Sequence, residues 1–180
     1  LLDSGACRNR LSVRTRRSAA LLVRAGGFLA AEGRTGVADW HDKRSARTTP
    51  KMVGCWGRKN RGQLGEGTLQ DHALPEGETG LAGLNIVAVD AGEAFTCAQT
   101  FSGNLHCWGR NTEGQLGNGS TVSSSTPVAV AGLGGVVESF SAGRQHVCAV
   151  LAGGTVTCWG DNATGQLGDE TGRPAGRERG

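Results

Sequence analysis

Between residues 85 and 160 the chain alternates short runs of Val, Thr and aromatic residues with clusters of Gly, Ser and Asn. The runs are NIVAVDAG (85–92), AFTCAQT (94–100), NLHCWG (104–109), PVAV (127–130), GVVESFSAG (135–143), HVCAVL (146–151) and TVTCWG (155–160). They are too short and too rich in β-branched residues for helices, and the turn-forming residues between them predict strands joined by tight connections.

The pattern then repeats. CWGRKNRGQLG (55–65), CWGRNTEGQLG (107–117) and CWGDNATGQLG (158–168) set Trp56, Trp108 and Trp159 at separations of 52 and 51 residues. Pro75 and Pro127 each follow the last glycine of their segment by ten residues, and AGEAFTCA (91–98) answers AGRQHVCA (142–149). Such a period marks an array of one supersecondary unit, and about four strands per period is the content of a propeller blade. The expectation is an all-β chain: a partial β-propeller of about two complete blades plus a partial one, in an incomplete ring. The 31 glycines among 180 residues exceed the usual share of roughly 7 %, and their placement at turns accounts for the excess.

Cysteine spacing sharpens the local geometry. If residues 101–103 and 152–154 form three-residue hairpin loops with glycine in the left-handed position, Cys97 faces Cys107, Cys148 faces Cys158, Val147 faces Trp159 and Val150 faces Val156. Opposed residues in an antiparallel pair lie within reach of a disulfide. In an oxidising compartment these pairs bridge; in a reducing one they pack as small buried hydrophobes. Cys55 lacks such a partner because Ser45 stands ten residues before it, and Cys7 lies in an unrelated segment. The first blade therefore reads as cut in half. His106 and Cys107 are strand neighbours that point to opposite faces, so no tetrahedral metal set is expected, and no cofactor is implied.

These residues resemble the regulator of chromosome condensation repeat family, whose units carry a WG-x-N-x-x-GQLG segment and a G-x-x-H-T/V-C-A-like strand. The resemblance covers roughly residues 53 to 170. It implies a seven-bladed propeller, which needs roughly 360 residues where the recognisable repeats supply about 120. It thus implies open blade faces and unpaired edges that favour self-association. Cysteine directly before WG is similar to bacterial members, many of them exported, which implies an extracellular or cell-envelope location, with the cytoplasm as the alternative. Lys59 replaces the asparagine seen at Asn111 and Asn162, and Phe95 replaces the histidine seen at His146.

The motif residues themselves read as scaffold. Trp56, Trp108 and Trp159 are apolar plates suited to packing between blades. Gln63, Gln115 and Gln166 suit backbone groups in glycine-rich turns. Gly57, Gly65, Gly109, Gly117, Gly160 and Gly168 complete the repeated frame with Asn111, Asn162 and His146. Residues repeated at every blade cannot distinguish one partner from another, so recognition is expected in the segments that vary, EGTLQDHALPEGETG (66–80) and NGSTVSSSTPVAV (118–130).

Charge divides the chain. Residues 1–50 hold ten Lys or Arg against four Asp or Glu, residues 51–172 hold six against eleven, and the last eight hold three against one. The repeats lack the basic surface that phosphate binding needs, so nucleic-acid binding by the blades is not expected. The domain reading is a basic, disordered or non-native segment at 1–50, repeats at 51–170 and a disordered tail at 171–180. Thr15-Arg16-Arg17 before AALLVRAGGFLAA has the outline of an export signal that Arg24 interrupts, and no run is long enough for a membrane span. Asn118-Gly-Ser120 and Asn162-Ala-Thr164 are glycosylation sequons only in a eukaryotic secretory source; as turn residues they need no such role.

No P-loop, G-x-S-x-G elbow or H-E-x-x-H pair occurs. The expectation is a non-enzymatic protein-interaction scaffold whose partner the sequence does not name. The resemblance implies two alternatives: guanine-nucleotide exchange on a small GTPase, or inhibition of a secreted enzyme such as a β-lactamase. A related plant photoreceptor places extra tryptophans beside the G-x-x-H strand, and Glu93-Ala94-Phe95 and Arg144-Gln145-His146 contain none, so light sensing is not expected.

Overall fold

A computed structural model describes residues 37–40, 43–48, 52–57, 60–77 and 80–169. Residues 1–36 and 170–180, where the export segment, Cys7 and most of the expected unstructured flanks fall, lie outside the described residues, as does Lys59.

Eleven strands form three antiparallel sheets. The first holds β1 (Val37–Trp40), β2 (Lys43–Thr48), β3 (Met52–Gly57) and β4 (His72–Gly77) in chain order. The second holds β5 (Ile86–Ala91), β6 (Phe95–Thr100), β7 (Leu105–Gly109) and β8 (Ser124–Ala129), and the third holds β9 (Val137–Ala142), β10 (His146–Leu151) and β11 (Val156–Gly160). The sheets meet through their first two strands, β5 touching β1 and β2 while β9 touches β5 and β6. They do not close on themselves: the described fold is a partial propeller of two four-stranded blades and one three-stranded blade.

Period-two alternation assigns each strand face to one neighbour. In the second blade Ile86, Ala98 and Trp108 pack against Val53, Cys55 and Leu64 of the first blade, while Phe95, Cys97, Leu105 and Cys107 pack against Val147, Ala149 and Trp159 of the third. The middle blade is therefore covered on both faces, and all six side chains of β6 are buried.

The hairpins have the expected register. Gly103 (φ 80°) and Gly154 (φ 86°) close loops in which Gly103 N donates to Thr100 O and Gly154 N to Leu151 O, each at 2.9 Å. Cys97 stands opposite Cys107, Cys148 opposite Cys158 and Val147 opposite Trp159. Both cysteine pairs lie at disulfide distance, with S–S separations of 2.07 and 2.09 Å.

Two boundaries move. Strands β1 and β2 fall inside the segment expected to be loose up to residue 50, so the first blade is whole and not cut in half. Its register follows the same plan: Lys43 faces Gly57 as Phe95 faces Gly109, and Ser45 faces Cys55 as Cys97 faces Cys107. The stretches expected to vary also contain β4 and β8, which carry Pro75 and Pro127. Both are fourth strands at a sheet edge, where proline's missing N–H leaves no ladder bond broken. The connecting segments narrow to 66–71 and 118–123.

Candidate functional site

The blade junctions are built twice from the same parts. Trp108 Nε1 donates to the backbone oxygen of Gln63 in the preceding blade, and Trp159 Nε1 donates to that of Gln115, both at 3.1 Å. Both indoles are fully buried, so this bond satisfies the single polar atom of a large apolar plate. Gly117 makes room for the plate, since a Cβ there would lie 2.6 Å from Trp159 Nε1. Trp56 is half-buried, and no hydrogen bond to its indole is seen among the described residues. The first junction adds the Thr96 hydroxyl, donating to Gln63 O at 2.9 Å, and the buried Lys43 ammonium, which donates to Phe95 O and to Thr96 Oγ1. A buried charge is tolerable only when so engaged.

The segment after each tryptophan turns twice. Gly114 N donates to Asn111 O and Gly117 N to Gly114 O; Gly165 with Asn162 and Gly168 with Gly165 repeat the arrangement. Side chains hold these turns from within. Asn111 Oδ1 accepts from Leu116 N at 2.9 Å and Asn162 Oδ1 from Leu167 N at 3.0 Å, while Gln63, Gln115 and Gln166 accept from Arg61, Glu113 and Thr164 N at 2.8–2.9 Å. The Asn111 amide also donates to Ser120 O and Val122 O, fastening the next loop to the turn. The WG glycine is needed for close approach: at Gly109 (φ 109°) a Cβ would sit 2.4 Å from Ala94 O, and at Gly160 (φ 105°) 2.5 Å from Gln145 O. Asn162 is fully buried, which closes that sequon to a glycan.

The glycine of G-x-x-H has a different reason. A Cβ on Gly92 would meet the Phe95 ring, and one on Gly143 the His146 ring, at 1.9 and 2.2 Å. The ring three residues on lies over the glycine, and phenylalanine does this as histidine does.

The long connections and the short turns before β6 and β10 share one end of the stack, since Arg110 N donates to Ala94 O and Asp161 N to Gln145 O. Here Glu93 accepts from Arg144 Nε at 3.1 Å and from Gln145 Nε2 at 2.8 Å, joining the second blade to the third. The Arg144 hydrogen bond, helped by Gln145, holds the Glu93 carboxyl below the ordinary carboxylate range. Asp90 spans the same pair of blades by accepting from Ala142 N at 2.9 Å. Loop 66–71 reaches the second blade through Gly67 N donating to Ser125 O. Leu69 and Val122 stand out from the two connecting segments, 62 % and 73 % exposed. Elsewhere, burial lowers the pKa of His106 and His146, and Asp161 partly opposes this at His146.

The Regulator of chromosome condensation (RCC1) repeat profile matches residues 53–99 and 102–150, and a second profile of that repeat matches 86–115 and 137–166. The chain belongs to the RCC1 repeat family. It is 37 % identical over 119 residues to the ultraviolet-B receptor UVR8 of Arabidopsis thaliana, covering 65 % of this chain and 27 % of that one. It is 37 % identical over 125 residues to the human E3 ubiquitin-protein ligase HERC2, covering 69 % and 3 %. The chain thus spans about a quarter or less of these relatives. Among solved structures, Prp20p of Saccharomyces cerevisiae superposes with a TM-score of 0.70 at 21 % identity over 79 % of this chain and 37 % of that one. Human WBSCR16 gives 0.69 at 22 % over 81 % and 39 %. These likenesses show the RCC1 propeller fold.

Within that repeat, Trp108, Trp159, Asn111, Asn162 and the three glutamines all sit inside blades or blade junctions. The Glu93–Arg144–Gln145 and Asp90–Ala142 contacts were not foreseen. Their signal was the period itself, because residues about 51 apart occupy equivalent turns of adjacent blades. Among the described residues no group of His, Cys, Asp or Glu is arranged to hold a metal ion, and no helix is long and apolar enough to cross a membrane. A recess of about 300 Å³ between residues 132–135 and Leu151, Ala152, Thr155 and Thr157 is lined by no titratable side chain.

Proposed function

We propose that this chain is a protein-interaction scaffold that engages its partner through the end of the stack carrying segments 66–71 and 118–123. The observation that carries the reading is the division of labour among side chains. Trp108, Trp159, Asn111, Asn162 and the three glutamines are engaged within or between blades, while the segments that differ between repeats present exposed Leu69 and Val122 at the end that also carries Glu93 and Arg144. Function placed on variable loops over a constant frame is the usual economy of repeat proteins. The acidic balance of residues 51–172 supports a protein partner over nucleic acid. The two cysteine pairs support an oxidising, extracytoplasmic setting.

The test is affinity capture with the full chain, followed by binding of the identified partner to a variant in which 66–71 and 118–123 are replaced by Gly-Ser sequence. The reading expects the variant to keep its β-sheet circular dichroism and lose the partner; unchanged binding would overturn it. Fluorescent-nucleotide release from a small GTPase separates the exchange reading. No acceleration beyond about tenfold, or ~1.4 kcal/mol in the barrier, is expected.

A further inference from the structure

The two blade junctions follow one design, and they part company at the end of the stack opposite segments 66–71 and 118–123. There the connection into each blade meets a hairpin tip, Phe101 N donating to Asn85 O in the second blade and Ala152 N to Val136 O in the third. Positions 51 residues apart correspond, as Ile86 and Val137 do in opening β5 and β9. Leu84 packs on the core of the first junction, and His106 is half-buried on the strand face that carries Trp108. Their counterparts are Gly135 and Thr157. With those smaller residues the second junction holds the recess of about 300 Å³ between residues 132–135 and the hairpin of β10 and β11, and Leu133 packs on the core without filling it. Leu151 and Thr157, which wall the recess, are 6 % and 4 % exposed. Leu151 packs with Phe95 and Leu105, and Thr157 shares the strand face of Trp159, so the recess belongs to the junction between two described blades and not to an outer face.

We propose that this recess receives one leucine side chain from an uncharged segment of a protein partner. The first junction sets the size and shape of the occupant, because the chain itself places leucine at the matching position. Charge sets its surroundings: segments 80–87, 100–105, 131–137 and 151–156, which meet at this end, contain no charged side chain. A charged group carried into the recess would find no counter-charge and would bear the full cost of desolvation. Thr155, an exposed lining residue, offers its hydroxyl to the peptide groups on either side of the inserted side chain, the common pairing of an apolar pocket with a few polar groups that fix orientation.

Nuclear magnetic resonance titration of the isotope-labelled full chain tests this. N-acetyl-leucinamide should move the amide resonances of Gly134, Gly135, Ala152 and Thr155 saturably, while N-acetyl-lysinamide and N-acetylglycinamide should leave them in place. 3-Methylbutanol has the same branched chain without the amides, and should bind about tenfold more weakly for want of those hydrogen bonds. Gly135→Leu restores the residue type of the first junction. Gly135 is not among the glycines with positive φ, and a Cβ there would lie 3.7 Å from Leu151 Cβ, an ordinary contact that directs the new side chain onto the recess wall. The variant should keep its β-sheet circular dichroism and lose the saturable shifts. No saturable shift in the wild-type chain, an equal response to N-acetyl-lysinamide or 3-methylbutanol, or a folded Gly135→Leu chain that binds like wild type would overturn the proposal. The wild-type titrations decide the matter even if the variant fails to fold. Because the recess and segments 66–71 and 118–123 lie at opposite ends of the blades, such failure leaves the loop-binding reading standing.

Discussion

At the scale of single residues, the repeated motif is a set of solutions to buried polarity. Trp108 shows this most clearly, because its ring fills the first junction and its one N–H finds the Gln63 carbonyl. Trp108→Ala removes the plate, opens a cavity and leaves that carbonyl with the Thr96 hydroxyl as its remaining donor, for an expected loss of about 3–5 kcal/mol. Chemical denaturation measures it, and a loss under about 1 kcal/mol would show that the junction does not depend on the indole. Acid should weaken the fold in two stages. Burial depresses the His106 and His146 pKa values below 6.5, so the unfolded chain binds more protons, and the stability present above that pH is lost as pH falls. Glu93, depressed below 4.5, contributes stability above that value and loses it at lower pH. The melting temperature should therefore fall between about pH 7.5 and 5.5, and His106→Gln should flatten the fall; a pH-independent melting temperature would contradict the assignment.

At the scale of elements, the first blade shows what a strand keeps when its signature is lost. Ser45 stands opposite Cys55 in the register that elsewhere opposes two cysteines, and the Cys55 thiol donates to Ser45 Oγ at 3.0 Å in a buried site. Ser45→Cys should form a third hairpin disulfide and stabilise the oxidised chain by roughly 2–3 kcal/mol. Peptide mapping and denaturation check both parts; a persistently free thiol at position 45 would mean that β2 and β3 pair differently. The two existing pairs should differ in accessibility. Cys97 and Cys107 are fully buried between blades while Cys148 and Cys158 are half-exposed, so graded reduction with alkylation should open Cys148–Cys158 first. Equal rates would contradict the burial.

The same strands explain what could be read in advance. β6, β7, β10 and β11 were legible because each hairpin carries two cysteines, a WG and a turn glycine at fixed spacing. β1 and β2 were not, since serine replaces the cysteine, Lys43 replaces the ring of Phe95 or His146, and Trp40 stands where Gly92 and Gly143 stand. Once no ring lies over that position, glycine is no longer required, and the mark disappears while the register survives. β4 was read with the loops, and of β8 only PVAV was read as strand, because both are edge strands with a proline. The scaffold residues were visible from repetition, but the Glu93–Arg144–Gln145 contact was not, because it depends on two blades being side by side.

At the scale of the whole molecule, a constant frame of three stacked blades presents variable segments at one end. Coverage then ranks stability: among the described residues the middle blade is enclosed on both faces, the outer blades on one. Local opening follows the number of buried contacts an element must break. Hydrogen exchange followed by mass spectrometry reads that order directly. Exchange should be slowest in β6 and β7, intermediate in β2–β3 and β10–β11, and fast in segments 66–71 and 118–123. Exchange of β2 at the rate of an unprotected chain, or a middle blade no slower than the third, would contradict it.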